Sequence, residues 1–202
     1  PRRLLVLGAG TGNDVAAALA AGVGEIDAVE LDPAIAELGQ QRHPAAPYRN
    51  PNVRLIVDDA RSYLQKTDRT YDMILFGTLD SHALLSGMST VRLDNFMYTR
   101  ECLEAVRARL SEDGLAVLLF SVSKPWLAEK LMNLSFSVFR HPPPLVYAGD
   151  ENLFNLMVVA GPGLPAAMSR FRGDRSQFQV CSGEPTTTNV PTDNWPYLYL
   201  MR

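Results

Sequence analysis

The sequence predicts an α/β fold, a doubly wound and mostly parallel sheet, and three observations carry that prediction. Short apolar runs alternate with helical patterns over the first 160 residues. The runs are near-continuous, which suits strands buried on both faces. A glycine-rich turn joins the first run to the first helical pattern.

The runs are Leu4–Leu7, Ile26–Val29, Val53–Val57, Met73–Phe76, Leu115–Phe120 and Leu153–Val159, each bounded by Gly, Pro, Asp or Asn. Between them, Asp14–Ala21 is Ala-rich and reads as a helix. Asp32-Pro33 opens the next, with Asp as N-cap and Pro at the first helical position. Ala60–Lys66 is a third. In Thr99–Leu110 the residues Leu103, Val106 and Leu110 share one face, Thr99 caps the start, and Gly114 follows the end. Strand–helix alternation at this spacing implies parallel strands with right-handed crossovers. Residues 78–98 carry no element signal, and a loop of that length beside a sheet is expected to act as a lid. Residues 161–202 are rich in Gly, Pro, Ser and Thr. They read as an extension packing on the domain formed by residues 1–160, closed by an aromatic strand that includes Trp195, Tyr197 and Tyr199.

The 202 residues suffice for one core. A net charge of −3 gives no basic excess to recruit nucleic acid or anionic lipid. No apolar stretch approaches the roughly 18 residues that cross a bilayer. Cys102 and Cys181 alone suggest a reducing compartment without a disulfide framework. No Cys/His cluster has metal-ligand spacing, so no metal is expected. His43 lies in a Pro-rich loop and reads as a surface residue, His141 precedes three prolines and reads as a loop residue, and Glu25 and Asp27 read as surface or loop residues. The strand pattern begins almost at Pro1, which predicts a domain whose N-terminal part lies outside this sequence.

Three motifs point to chemistry. Gly8-Ala9-Gly10-Thr11-Gly12 follows the first strand. Its glycines permit a tight turn and let backbone N–H groups approach a ligand, or simply connect strand to helix. The G-x-G-x-G spacing is the form of methyltransferase-like Rossmann domains, where the loop meets a nucleoside. Glu30 ends the second strand, where an acid accepts hydrogen bonds from both ribose hydroxyls. The alternative is a solvated strand-end charge. Asp58-Asp59-Ala60 ends the third strand, where a carboxylate meets an adenine amino group and the next amide a ring nitrogen. Asp59 also suits a helix cap, and the two roles are compatible. All three motifs fall at carboxyl ends of neighbouring strands, where open α/β sheets bind ligands.

Leu5–Gly12, Val29-Glu30-Leu31-Asp32-Pro33, Val53–Val57 with Asp59-Ala60-Arg61, and Tyr71-Asp72-Met73-Ile74 resemble the spermidine synthase family in order and spacing. The closing segment Pro191–Tyr199 is similar to that of bacterial spermidine-synthase-like domains fused to membrane spans. The resemblance implies a methyltransferase-like Rossmann sheet that binds S-adenosylmethionine or its decarboxylated form as donor. It matches Gly8, Gly10, Glu30, Asp59 and Ala60 to positions that hold that donor, and Ala9, Thr11, Gly12 and Gly77 are expected beside them. Two positions depart from the pattern. The family's glycine loop carries Asp in its fourth position, gripping the amino end of the donor, and here that residue is Thr11. After the fourth strand the family carries Asp-x-x-Asp-Pro, and here the residues are Gly77-Thr78-Leu79-Asp80-Ser81. The first acid, the family's general base, is Gly77. Asp80 alone remains as catalytic candidate. Asp80-Ser81-His82 contains triad residue types, but adjacent residues on one loop do not make a triad and no G-x-S-x-G elbow is present.

The expected function is transfer of an aminopropyl-type group from an adenosyl sulfonium donor to an amine or other small nucleophile, within polyamine biosynthesis. The alternatives are an S-adenosylmethionine-dependent methyltransferase and a catalytically impaired nucleoside-binding domain of a membrane protein. The resemblance further implies a cytoplasmic-side domain with membrane spans outside this sequence. A homo-oligomer is left open.

Overall fold

The chain enters at the middle of its sheet. The computed structural model describes residues 1–77, 93–122, 125–141, 144–149, 154–170, 178–180 and 189–200. Strand β1 (Arg3–Leu7) lies between β2 (Glu25–Glu30) and β4 (Tyr71–Phe76), parallel to both. β3 (Val53–Val57) adds to the far side of β2, and β5 (Leu110–Val122) to the far side of β4, again in parallel. The winding therefore reverses between β1 and β4, which creates a crevice at their carboxyl ends.

Beyond β5 the sheet changes character. β7 (Phe154–Ala160) pairs antiparallel with β5, β6 (Pro144–Gly149) with β7, and β8 (Phe178–Val180) with β6. The order is β3-β2-β1-β4-β5-β7-β6-β8 among the described residues. The sheet is thus mostly parallel over its first half, as the sequence predicts, but the run expected as a sixth parallel strand is antiparallel. The reason is connectivity. β6 and β7 are consecutive and join by a short link, whereas a parallel pair needs a crossover of a dozen or more residues.

The helices follow local sequence rules. α1 (Asn13–Ala20) starts on Gly12, and α2 (Pro33–Arg42) on Asp32, whose side chain accepts from Ala34 N. α3 (Ala60–Lys66) starts on Asp59, which accepts from Ser62 N, and α4 (Arg100–Arg109) on Thr99, which accepts from Cys102 N. Gly114 does not terminate α4. The chain passes from Arg109 directly into β5, and Gly114 sits inside that strand. α5 (Pro125–Phe139) and α6 (Leu164–Arg170) were not among the expected elements. The end of the segment expected to lack structure forms a 3-10 helix at Leu93–Tyr98. Residues 78–92, with Asp80, Ser81 and His82, lie outside the described residues.

The period-2 alternation of a strand divides the core into two layers. Leu5 and Leu7 face a layer that includes Leu64 of α3, Leu103 and Val106 of α4 and Leu131 and Leu134 of α5. Leu4 and Val6 face the other, with Val15 of α1 and Tyr48. Leu5, Val6 and Leu7 are all fully buried, so β1 is covered on both faces and its end is rigidly placed.

Candidate functional site

The loops after β1, β2 and β3 meet at the crevice. Gly8, Gly10 and Gly12 have φ of 72°, 56° and 103°, left-handed values that explain glycine at alternate positions. The loop amides are largely taken up inside the protein. Gly8 N and Ala9 N both donate to Val29 O at 2.9 Å, and Gly12 N donates to Ala9 O. Gly10 N donates to Glu30 Oε2 at 2.7 Å. These four amides thereby fix the shape of the loop within the protein. A β-carbon on Gly10 would meet nothing within 4 Å, so the loop faces open space there.

Glu30 is the tie between two loops. Its Oε1 accepts from Asp32 N at 2.9 Å while Oε2 holds Gly10. Each carboxylate oxygen has two acceptor directions, so both keep one for a further donor. Only 8% of Glu30 is exposed. Asp59 uses Oδ1 to cap α3 and keeps Oδ2 out of that bond. Ala60 is the first residue of α3 and carries one of its N-terminal amides.

Tyr48 was not singled out by the sequence, because an aromatic residue in a Pro-rich loop carries no signal of its own. Its hydroxyl donates toward Gly10 O at 2.7 Å and lies 3.1 Å from Ala9 O. Burial pushes its pKa above the ordinary tyrosine value, and the negative charges of Glu30 and Asp14 push it further, so it stays neutral. Asp14 was missed too. It lies in the first turn of α1, half-buried, and burial raises its carboxyl above the ordinary value. Among the described residues it has no hydrogen bond or ion pair.

Gly77 closes the crevice beside Gly8. Its N–H donates to Leu7 O at 2.9 Å, continuing the β1–β4 ladder. A β-carbon there would lie 2.6 Å from Gly8 O and 3.4 Å from Asp14 Oδ2. The approach of the two backbones leaves no room for a side chain, which accounts for the residue found.

Asp27 is not a surface residue. It is 2% exposed and accepts from Tyr71 at 2.6 Å, from Tyr63 at 3.0 Å and from Arg54 through both oxygens. Burial alone would raise its carboxyl, but these hydrogen bonds outweigh it and hold the group below the usual carboxylate range. The alternation of the strand turns Asp27 inward, and its partners come from β3, α3 and β4. That combination is invisible in a single strand's sequence. It braces the sheet away from the crevice.

The C-terminal segment docks beside α3. Arg61 donates to Asp193 through two nitrogens, at 2.7 and 2.8 Å, and to Phe96 O. Trp195 forms a bridge with Thr192, not the expected strand, and Lys130 sits 4.8 Å from its ring centre. Leu198 is fully buried in the α4–α5 layer. Among the described residues no group of three or more His, Cys, Asp or Glu is placed to hold a metal, and no helix is long and apolar enough to cross a membrane.

The sequence signature of the spermine/spermidine synthase domain matches residues 1–140. The chain belongs to this family. A polyamine aminopropyltransferase of Korarchaeum cryptofilum is 30% identical over 120 residues, 58% of this chain and 35% of that protein. One from Thermoplasma volcanium is 23% identical over 142 residues, 69% of this chain and 48% of that protein. The chain thus spans less than half the length of these relatives. Among solved structures, a spermidine synthase in complex with the transition state analogue AdoDATO superposes with a TM-score of 0.58 at 17% identity, covering 86% of this chain and 60% of that one. Human methyltransferase-like protein 13 in complex with SAH superposes at 0.62 and 20% identity, covering 86% and 85%. These likenesses establish the shared Rossmann-like fold.

Proposed function

We propose that this spermidine-synthase-like domain binds an adenosyl sulfonium donor across the carboxyl ends of β1, β2 and β3 and transfers a group from it to a small amine. The observation that carries the reading is Glu30. It is a nearly buried acid at the end of β2, oriented by two backbone amides, with one acceptor direction left on each oxygen. That arrangement suits a pair of ribose hydroxyls. Asp59 Oδ2 and the first amides of α3 suit an adenine edge. The similarity to polyamine aminopropyltransferases supports an amine acceptor and the aminopropyl class.

A methyltransferase is the second reading. It is favoured by Gly77, where no side chain fits and so no base stands, and by Thr11 in place of an acid. Both readings share the nucleoside pocket.

The test of the pocket is calorimetry with methylthioadenosine. Binding is expected in the wild type, weakened by about 1.5–3 kcal/mol in Glu30→Ala, the range for hydrogen bonds to a charged group. Equal affinity in the two proteins would remove Glu30 from the site. No binding to the wild type would remove the reading itself.

A further inference from the structure

The chain that follows α2 turns back against the glycine loop. Tyr48 sits there in a 3-10 turn, Pro47–Arg49, and is buried. Its ring fills space left by two glycines. A β-carbon on Gly39 of α2 would lie 2.6 Å from Tyr48 Cε2, and one on Gly12 would lie 3.3 Å from Tyr48 Cζ. So placed, the phenol reaches Gly10 O at 2.7 Å and Ala9 O at 3.1 Å. The Ala9–Gly10 peptide is thereby held at both ends, because Glu30 Oε2 takes its N–H. The next peptide is held at one end only. Tyr48 holds Gly10 O, while the Thr11 N–H has no acceptor among the described residues. In a trans peptide the N–H points opposite to the C=O. Fixing Gly10 O on the phenol therefore aims the Thr11 N–H away from Tyr48. Thr11 is only half-buried, and the loop faces open space at Gly10. A partly desolvated donor without a partner is costly, and an acceptor on a ligand relieves the cost.

We infer that Tyr48 is a positioning residue of the nucleoside pocket: by holding Gly10 O it presents the Thr11 N–H to a ribose oxygen of the bound molecule. This rests on the pocket proposed above. Glu30 would accept from the ribose hydroxyls, and the Thr11 amide adds a donor beside it. The phenol has to keep its proton to do this, and burial together with the charges of Glu30 and Asp14 keeps it protonated. The bond matters here because Gly10 is conformationally free. With Gly10 O released, the Gly10–Thr11 peptide can rotate, and the amide loses its fixed direction.

The experiment compares wild type and Tyr48→Phe by calorimetry with methylthioadenosine and by amide hydrogen exchange at Thr11. Phe keeps the ring between Gly12 and Gly39 and removes the hydroxyl alone. The variant is expected to bind about three- to tenfold more weakly. In the wild type the Thr11 amide should exchange readily when free and gain protection with methylthioadenosine, and the variant should lose most of that gain. A purely structural Tyr48 would lower the melting temperature and leave both affinity and Thr11 protection alone, which overturns the inference. Should the Phe variant not fold, the wild type decides: a Thr11 amide that gains no protection on binding overturns it equally. Equal binding by the two proteins removes Tyr48 and leaves the pocket standing. If methylthioadenosine fails to bind the wild type, the pocket falls first and this inference with it.

Discussion

Tyr71 on β4 donates a 2.6 Å hydrogen bond to Asp27 on β2, reaching across β1, and both residues are buried. Tyr63 of α3 completes the cluster, 2.8 Å from the Tyr71 hydroxyl. A charge-assisted bond of this kind is worth about 1.5–3 kcal/mol. Tyr71→Phe is expected to lose that amount in urea denaturation. Asp27→Ala should cost more, because it strands two hydroxyls and the Arg54 guanidinium.

The same cluster sets an acid response. The Asp27 carboxyl is held low in the folded chain, so its contribution is complete above its unfolded value near 3.9 and is lost as pH falls through the folded value. Tyr71→Phe removes one bond that lowers it. The variant is therefore expected to unfold at a less acidic pH than the wild type, followed by circular dichroism. Coincident acid transitions would show that Asp27 does not govern this limb.

Gly77 and Gly8 define a second test. A β-carbon at residue 77 would lie 2.6 Å from Gly8 O, a backbone atom that cannot swing aside. Gly77→Ala should lower stability by about 1–3 kcal/mol, as overpacking does. It should also weaken methylthioadenosine binding by displacing the glycine loop. An unaltered melting curve would mean that the two backbones separate easily.

Arg61 and Asp193 join α3 to the C-terminal segment by a bidentate bridge that is partly exposed, with the side chains 16% and 37% accessible. Solvent screening limits such a pair to about 1 kcal/mol. Asp193→Asn should therefore leave the global fold standing but speed hydrogen exchange of residues 189–200. The Arg61 hydrogen bonds hold the Asp193 carboxyl low, so wild type should show the same loosening only as pH falls below the ordinary carboxylate value near 3.9. Identical exchange in variant and wild type at neutral pH would assign the docking to Leu198 instead.

The first half of the sheet is legible in the sequence because its signals are local. Apolar runs of strand length, Asp32-Pro33, Asp59 and Thr99 each announce an element or its cap, and each does so in the structure. What escapes is non-local. The antiparallel pairing of β7 depends on a partner that begins with the last of three consecutive prolines. α5 buries Lys130, Asn133, Ser135 and Ser137 among its apolar residues, which blurs its stripe although Leu127, Leu131, Leu134 and Val138 keep helical spacing. At the site, the motif residues Gly10, Glu30 and Asp59 are readable from spacing. Asp14 and Tyr48 acquire meaning only once α1 and the Pro47–Arg49 turn fold against the loop.

Glu30 fastens Gly10 to Asp32 through the protein's own backbone, so the corner that would receive a ribose has its shape before any encounter. The disorder of that corner is lost when the chain folds and need not be lost again on association. A nucleoside should then enter in a single kinetic phase whose speed is set by diffusion and orientation, without a slow isomerisation in the loop. The glycines, flexible as residues, act here as a casting with a fixed contour.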